Sequence, residues 1–313
     1  MKFLLRHLII IFIQTVLLAT AYSQENSNSI QINTGPYLGL ANPGDKPQLF
    51  KPNLSQDIEI MSIPLFYRNG NLLVFKGTYS SVEGVFLTEN KNGAWTEPEL
   101  ILTLSQYDDR HFFMTLDEKR IYFTSLRPVR EGDGQSENPN IWVIEKSTSG
   151  WFEPNVFDES ANPKEGKFYS TLSKNNTLYY TAHNSESGLC DIVFTKYING
   201  KFGKMINPGI PVNTEHIDGD PYIAPDESYM IFLSDRPGGL GQHDFYITFR
   251  DENSKWTEPI HLGKEINSEK NDVCPLVTPD GKYFFFGSNS SGKYKTYWMD
   301  AGFIEKLRKN YLK

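Results

Sequence analysis

The feature that most constrains the fold of this chain is a pattern that occurs twice in its C-terminal half. Residues 213–234 begin with Asn-Thr-Glu, pass through a Pro-Asp turn and end with an aromatic run and a serine. Residues 267–288 repeat that order at a constant offset of 54 residues, with Asn-Ser-Glu, Pro-Asp-Gly, an aromatic run and a serine. Self-similarity at a fixed interval of this length is typical of stacked repeat units, which bury their apolar faces against one another.

Weaker copies of the same pattern extend it towards the N-terminus. Further aromatic or apolar runs that follow a polar turn occur at 72–75, 121–125 and 178–180. A second landmark, Trp-x-x-Pro in three units and Lys-Phe in one, places an aromatic residue at Trp95, Trp151, Phe202 and Trp256. Because a short apolar strand follows the first landmark in each unit, the chain is predicted to contain five units.

Each unit is predicted to form four antiparallel strands, of which the second is aromatic and the fourth carries the tryptophan. Aromatic residues make up 14% of the chain, and together with 24 Gly and 18 Pro they point to many short strands and turns. A four-stranded antiparallel unit repeated about every 50 residues is the signature of a β-propeller blade, so the predicted fold class is all-β. The predicted blades lie near residues 58–100, 105–155, 160–205, 210–262 and 264–300.

Two motifs in the last two units resemble those of a known family. Pro-Asp-Gly at 279–281 stands before an aromatic strand, and Ser-x-Arg-Pro-Gly-Gly-x-Gly at 234–241 stands before the Asp-Phe-Tyr of 244–246. These motifs resemble the TolB-like family of WD-like, Pro-Asp-repeat β-propellers, which includes secreted members, and the resemblance covers about residues 37–303. A six-bladed ring is known in this family, so six blades are the alternative to the five that the repeat count predicts.

The two ends of the chain are predicted to complete the ring. The fifth unit has no Trp-x-x-Pro strand after it, and the N-terminal segment, 24–57, contains Pro-Gln-Leu-Phe at 47–50, which could supply the missing outer strand. Closure of the ring in this way removes most exposed sheet edges. The tail, 301–313, has apolar residues at helical spacing and is predicted to form a short amphipathic helix on one face of the ring.

Residues 1–23 read as a cleaved secretory signal peptide. Lys2 and Arg6 precede an apolar run from Leu8 to Leu18, and small residues follow up to Ser23. The apolar run is too short for a membrane anchor, and no cysteine stands at the processing site. Cleavage would remove two cations from a chain of net charge −7. We therefore expect an acidic, monomeric, periplasmic or secreted protein with no stable membrane insertion and no nucleic-acid partner.

The usual motifs of enzymes and metal sites are missing from the sequence. It contains no Gly-x-Ser-x-Gly, no His-x-x-x-His and no Cys-x-x-Cys, so neither a serine hydrolase nor a zinc site is predicted, and no cofactor is expected. Cys190 and Cys274 belong to units that are not neighbours. We expect them to be buried small apolar residues rather than a disulfide.

Polar residues recur at the starts of the incoming strands, which line the central channel of a propeller. Matching pairs of residues occur there in units two, four and five, as Asp and His, Asp and Asp, and Asp272 with Cys274. An arginine recurs before a proline in units two and four. Two interpretations remain open: the aspartates cap turns and the arginines pair with carboxylates between blades, or these side chains converge on one channel mouth and bind a cation, a sugar or a peptide terminus. The residues are Asp109, His111, Asp218, Asp220, Asp272, Arg127 and Arg236.

The predicted function is a non-catalytic binding module for a protein or a glycan of the cell envelope, with the ligand at the channel mouth or on the loops between strands. The alternative is a carbohydrate-active hydrolase that uses the channel-mouth carboxylates, since glycoside hydrolysis needs two carboxylates that flank the bond.

Overall fold

The computed structural model describes residues 34–157, 166–183, 188–199 and 201–311. The predicted signal peptide, the first ten residues of the N-terminal segment, the start of the third repeat and the last two residues of the tail lie outside these described residues. Within the described part, the antiparallel sheets form five blades arranged in a ring. The protein is therefore the predicted all-β, five-bladed β-propeller and not its six-bladed alternative.

Strands of two to ten residues build the blades. The first blade contains β2 to β7: Ile58–Ile60, Leu65–Tyr67, Leu72–Tyr79, Val82–Lys91, Ala94–Trp95 and Glu99–Thr103. The second contains β8 to β12: Arg110–Met114, Arg120–Ser125, Asn140–Ser147, Gly150–Trp151 and Asn155–Val156. The third contains β13 to β17: Lys167–Leu172, Leu178–His183, Cys190–Thr195, Tyr197–Ile198 and Lys201–Phe202. The fourth contains β18 to β21: Asp218–Ile223, Tyr229–Ser234, Asp244–Phe249 and Ile260–His261. The fifth contains β22 to β24 and also β1 from the N-terminal segment: Asp272–Val277, Tyr283–Ser288, Lys295–Asp300 and Gln48–Leu49.

The strands of a blade follow one another from the centre of the ring outwards, as β18, β19, β20 and β21 do in the fourth blade. The inner strands β8, β13, β18 and β22 contact one another around the central channel. The second strand of each blade is buried on both faces because a neighbouring blade packs on each side. Ile121, Tyr122 and Phe123 of β9 are all at most 1% exposed, which explains why these strands are apolar throughout rather than alternating.

The N-terminal segment closes the ring as predicted. β1 pairs antiparallel with β24, so that Gln48 lies opposite Trp298 and Leu49 opposite Tyr297. Phe50 extends this contact, since its ring lies 5.4 Å from that of Phe285 and 5.7 Å from that of Trp298, measured between centroids. The fifth blade therefore consists of the two ends of the chain.

The tail forms helix α1, Phe303–Tyr311, on the opposite face of the ring from the loops that lead into the inner strands. Ile304 is buried, and the Phe303 ring lies 5.5 Å from that of Phe284 in the fifth blade. Arg308 reaches the fourth blade and donates a hydrogen bond from Nη2 to Ser228 Oγ at 2.7 Å. Among the described residues, no helix has both the length and the apolar composition required to cross a membrane.

Two details of the blades differ from the prediction. The tryptophans do not lie in the outer strands: Trp95 and Trp151 lie in the short strands β6 and β11, which form hairpins with the third strand of their blades. Among the described residues of the third blade there is no regular outer strand, and an isolated bridge joins Phe194 to Ile206 instead. In the third blade Lys167 pairs with Ala182, at the place where Asp218 pairs with Ser234 in the fourth blade. The third blade therefore has a lysine and an alanine where the fourth has an aspartate and a serine.

Candidate functional site

Three of the predicted site residues lie at the start of inner strands, Asp109 directly before β8 and the other two as the first residues of β18 and β22, and they cap the loops that lead into these strands. The carboxylates of Asp109, Asp218 and Asp272 accept hydrogen bonds from the backbone N–H four residues earlier, at 2.8, 2.7 and 2.6 Å. All three side chains are buried. We call this place in the repeat, residues 109, 167, 218 and 272, the turn position. Its shared hydrogen bond agrees with the interpretation that these aspartates cap turns.

The two predicted arginines pair with aspartates at the turn position of their own blade. Arg127 donates to both carboxylate oxygens of Asp109, from Nε at 3.0 Å and from Nη2 at 2.8 Å. Arg236 Nη2 donates to Asp218 Oδ1 at 2.6 Å. The expectation that these pairs join neighbouring blades is wrong, because each arginine follows the second strand and its aspartate begins the adjacent inner strand. The fifth blade has Ser290 in place of the arginine.

The presence or absence of the arginine changes the acidity of the aspartate. Burial acts to raise the pKa of Asp109, but hydrogen bonds from Arg127, Ser125 and Ser105 outweigh it and hold the pKa below its ordinary value. Burial raises the pKa of Asp272, which has serine partners and no arginine. Of these two buried carboxylates, the one that faces a guanidinium is stabilised in its charged form and the one that faces serines is not.

Two residues beyond the turn position, the inner strands carry a β-bulge. His111, Tyr169, Asp220 and Cys274 have φ values of 55°, 37°, 47° and 56°, in the left-handed region that residues other than glycine adopt at a cost. The register of pairing with the second strand shifts at each of these places. We call residues 111, 169, 220 and 274 the bulge position. Because a bulge redirects its side chain, the members of each predicted pair separate.

A cavity of about 920 Å³ occupies the channel at the end where the inner strands begin. It is lined by parts of the first, second, third and fifth blades and by residues 49–54 of the N-terminal segment. At the other end of the inner strands, buried Tyr67 and Tyr222 leave a void of only about 20 Å³. The Tyr169 hydroxyl crosses the channel and donates to the carbonyl of Pro275 at 2.6 Å. The cavity therefore opens at one end and is closed by aromatic side chains at the other.

His111 is a neutral hydrogen-bonding group in the cavity wall. Its Nδ1 lies 3.2 Å from Thr124 Oγ1, and that hydroxyl donates to the carbonyl of Arg110. The imidazole nitrogen must then be the donor, which leaves Nε2 as an acceptor. Burial and the nearby charges of Arg110 and Lys76 lower the pKa of His111 to about 3. A neutral imidazole between two cations marks this wall as a region of positive potential.

Of the seven predicted site residues, His111 alone lies in the described lining of this cavity. Asp220, at the bulge position of the fourth blade, accepts a hydrogen bond from Cys274 N–H at 3.0 Å, and burial raises its pKa. The other five form the turns and ion pairs described above. The single mouth on which all seven would converge is therefore not the arrangement that the described residues adopt.

Several residues of the cavity wall were not predicted from the sequence. Tyr169 had a detectable signal, because it stands at the same offset in its repeat as His111 and Asp220. Lys76 and Arg110 had none, because they lie in marked strands at positions whose residue type does not recur from unit to unit, and Tyr294 lies in a loop before β24. Cys190 and Cys274 are free thiols, as predicted, but both are half-buried rather than fully buried. Among the described residues, no group of three or more His, Cys, Asp or Glu side chains is arranged to hold a metal ion.

Comparison with solved structures places this ring among known propellers. A putative TolB from Agrobacterium tumefaciens matches with a TM-score of 0.51 and 14% sequence identity, over 79% of this chain and 78% of that one. TolB from Acinetobacter baumannii matches with a TM-score of 0.49 and 13% sequence identity. This match covers 80% of the present chain and 57% of the length of that protein. An endo-arabinase from Bacteroides thetaiotaomicron matches with a TM-score of 0.46 and 11% identity, over 86% and 96% of the two chains.

The chain therefore has a TolB-like β-propeller fold. No protein-family model matches its sequence, and a search of curated proteins finds no significant match. At identities this low the likeness to solved structures concerns the fold alone, since propellers carry many unrelated functions.

Proposed function

We propose that this chain is a non-catalytic binding module, exported to the periplasm or the outside of the cell, and that it holds its ligand in the central cavity. The observation that carries the proposal is the cavity itself, which is closed at one end and measures about 920 Å³. Ligand sites are typically concave, mostly apolar and of this size, with a few convergent polar groups. The ligand is a segment of an envelope protein or an envelope glycan.

The placement of the carboxylates favours binding over hydrolysis. A glycoside hydrolase would need two carboxylates that flank the bond to be cleaved. Asp109, Asp218 and Asp272 are instead engaged in turn hydrogen bonds, and Glu59 is the one carboxylate in the described lining of the cavity. Release of sugar from an envelope glycan by the wild type, and its loss in a folded Asp272→Asn variant, would reverse this preference.

Obstruction of the cavity tests the proposal. Met61 lines the cavity and is 52% exposed, so tryptophan at this position fills the opening without disturbing the core. Leu240 is similarly exposed but lies in a loop outside the lining, so Leu240→Trp is the matched control. We expect wild type and Leu240→Trp to retain the same cross-linked protein or glycan from envelope extracts, and Met61→Trp to lose it. Equal recovery by the wild type and both variants would contradict a ligand in the cavity.

A further inference from the structure

The cavity has a charge opposite to that of the whole protein. The chain carries a net charge of −7. The described residues that line the cavity nevertheless include four cationic side chains and one acidic side chain, that of Glu59. The cations are Lys51, Lys76, Arg110 and Lys295. A concave, positively lined site in an acidic protein concentrates anionic ligands at its mouth, because low-dielectric walls focus the field into the cavity.

Lys76 is the cation best placed to hold an anionic group. It is half-buried on β4, and its Nζ donates to the backbone carbonyl of Asp109 at 2.8 Å. Among the described residues, no carboxylate lies within ion-pair distance of this ammonium group. Lys76 therefore keeps two N–H donors for a ligand. Arg110, its neighbour in the lining, is partly neutralised by an ion pair with Asp108.

The remaining wall offers groups that suit a hydroxyl-rich ring. Among the described residues, no group lies within hydrogen-bond distance of the Ser170 hydroxyl, which is buried in the cavity wall. His111 Nε2 is an acceptor in the same wall. Tyr294 lines the mouth and is 57% exposed, so it presents an aromatic face to anything that enters. A large aromatic face covers the apolar side of a ring without demanding a hydrogen bond there.

We propose that the cavity binds an acidic saccharide whose carboxylate lies against Lys76, whose hydroxyls meet Ser170 and His111, and whose ring lies against Tyr294. This inference rests on the proposed function and adds to it the chemical class of the ligand. An acidic peptide satisfies the ammonium group equally well, and it is the competing outcome of the test below. The saccharide is favoured because the same wall also holds the Ser170 hydroxyl, the His111 imidazole and the exposed ring of Tyr294.

Calorimetric titration of the full chain with two matched probes tests this assignment. The probes are trigalacturonic acid and the same trisaccharide with its carboxylates reduced to alcohols. We expect the acid to bind at least about tenfold more tightly than the neutral trisaccharide. Lys76→Met should remove this difference by weakening the acid alone, and Lys76→Arg should restore part of it. Lys119→Met, in a turn on the opposite face, is the matched control and should change neither affinity.

Three outcomes would overturn the assignment without touching the proposed function. The first is equal affinity of wild type for both trisaccharides, the second is an equal loss for both in Lys76→Met, and the third is tight binding of a hexaglutamate peptide with no binding of trigalacturonic acid. Failure of the cavity-blocking experiment above would instead reject the cavity as a ligand site altogether. Circular dichroism of each lysine variant separates a lost contact from a lost fold.

Discussion

The turn position and the bulge position lie two residues apart on the same inner strands, yet they differ in kind. At the turn position, three of the four blades that show it have an aspartate, and each aspartate accepts the same backbone hydrogen bond. At the bulge position the four backbones share one unusual conformation, whereas the four side chains are His, Tyr, Asp and Cys. A position that has the same side chain in most blades fixes the architecture of the ring. A position that shares only its backbone conformation allows each blade to present a different side chain to the channel.

The largest expected difference between the two positions is in stability. Asp218→Asn should lower the free energy of unfolding by about 3–5 kcal/mol, because Arg236, whose side chain is only 13% exposed, is left without its counterion. Asp220→Asn should change it by less than about 1 kcal/mol, because an amide oxygen can still accept the Cys274 N–H bond. Urea unfolding of both variants at pH 7 measures the two effects. Similar losses of stability in the two variants would contradict the distinction between the turn position and the bulge position.

The pH dependence of stability probes the bulge position of the second blade. The pKa of His111 falls from its ordinary 6.5 to about 3 on folding, so the folded state excludes the proton that the unfolded chain binds. This contribution is fully present above pH 6.5 and is lost as the pH falls towards 3. Between pH 7 and pH 4 it amounts to at most about 3 kcal/mol. We expect His111→Gln to lose less stability than wild type over this interval in urea titrations. Parallel pH profiles would show that the imidazole is not buried in a neutral form.

A variant of the fifth blade sharpens the interpretation of the turn position. Asp272 accepts the same backbone bond as Asp218 but faces serines instead of an arginine. Asp272→Asn should therefore cost about 1–2 kcal/mol, less than Asp218→Asn, because no buried cation loses its partner. Burial also raises the pKa of Asp272, so the neutral amide resembles its preferred form more closely. Thermal or urea unfolding of the two variants side by side measures this order, and a reversed order would refute the role given to Arg236.

The smallest expected effect concerns the tyrosine that crosses the channel. Tyr169→Phe removes one hydrogen bond, from the hydroxyl to the Pro275 carbonyl, and keeps the ring in the cavity floor. The free energy of unfolding should fall by about 1 kcal/mol. A loss as large as that of Asp218→Asn would mean that the bulge position, too, holds the ring together.

The blades and their number could be predicted from the sequence because each landmark is local. An aromatic run, a Pro-Asp turn and a serine specify a strand, a turn and the next strand within about twenty residues. Closure by residues 47–50 could be inferred as well, because the fifth unit lacks an outer strand that a closed ring requires. The position of the tryptophans was wrong by a few residues, since a short hairpin and an outer strand give the same apolar signal.

The different structural roles of Asp218 and Asp220 could not be predicted in the same way. Asp218 and Asp220 have the same chemistry, and the alternation of a regular strand would send both side chains to the same face. The bulge breaks that alternation, and only the paired register of the two strands reveals where it lies. The cationic wall was also hidden, because Lys76 in the first blade and Arg110 in the second meet only when these two blades pack against each other.

The sequence by itself determined the repeat, the five blades, the aromatic second strands and the closing segment, because strand and turn preferences act over short stretches of chain. Only the tertiary structure decided what the channel contains. The side chains that line it come from four blades and from the N-terminal segment, and their distances depend on the packing of the whole ring. The protein is acidic as a chain and cationic in its cavity, and that opposition arises from packing rather than from composition.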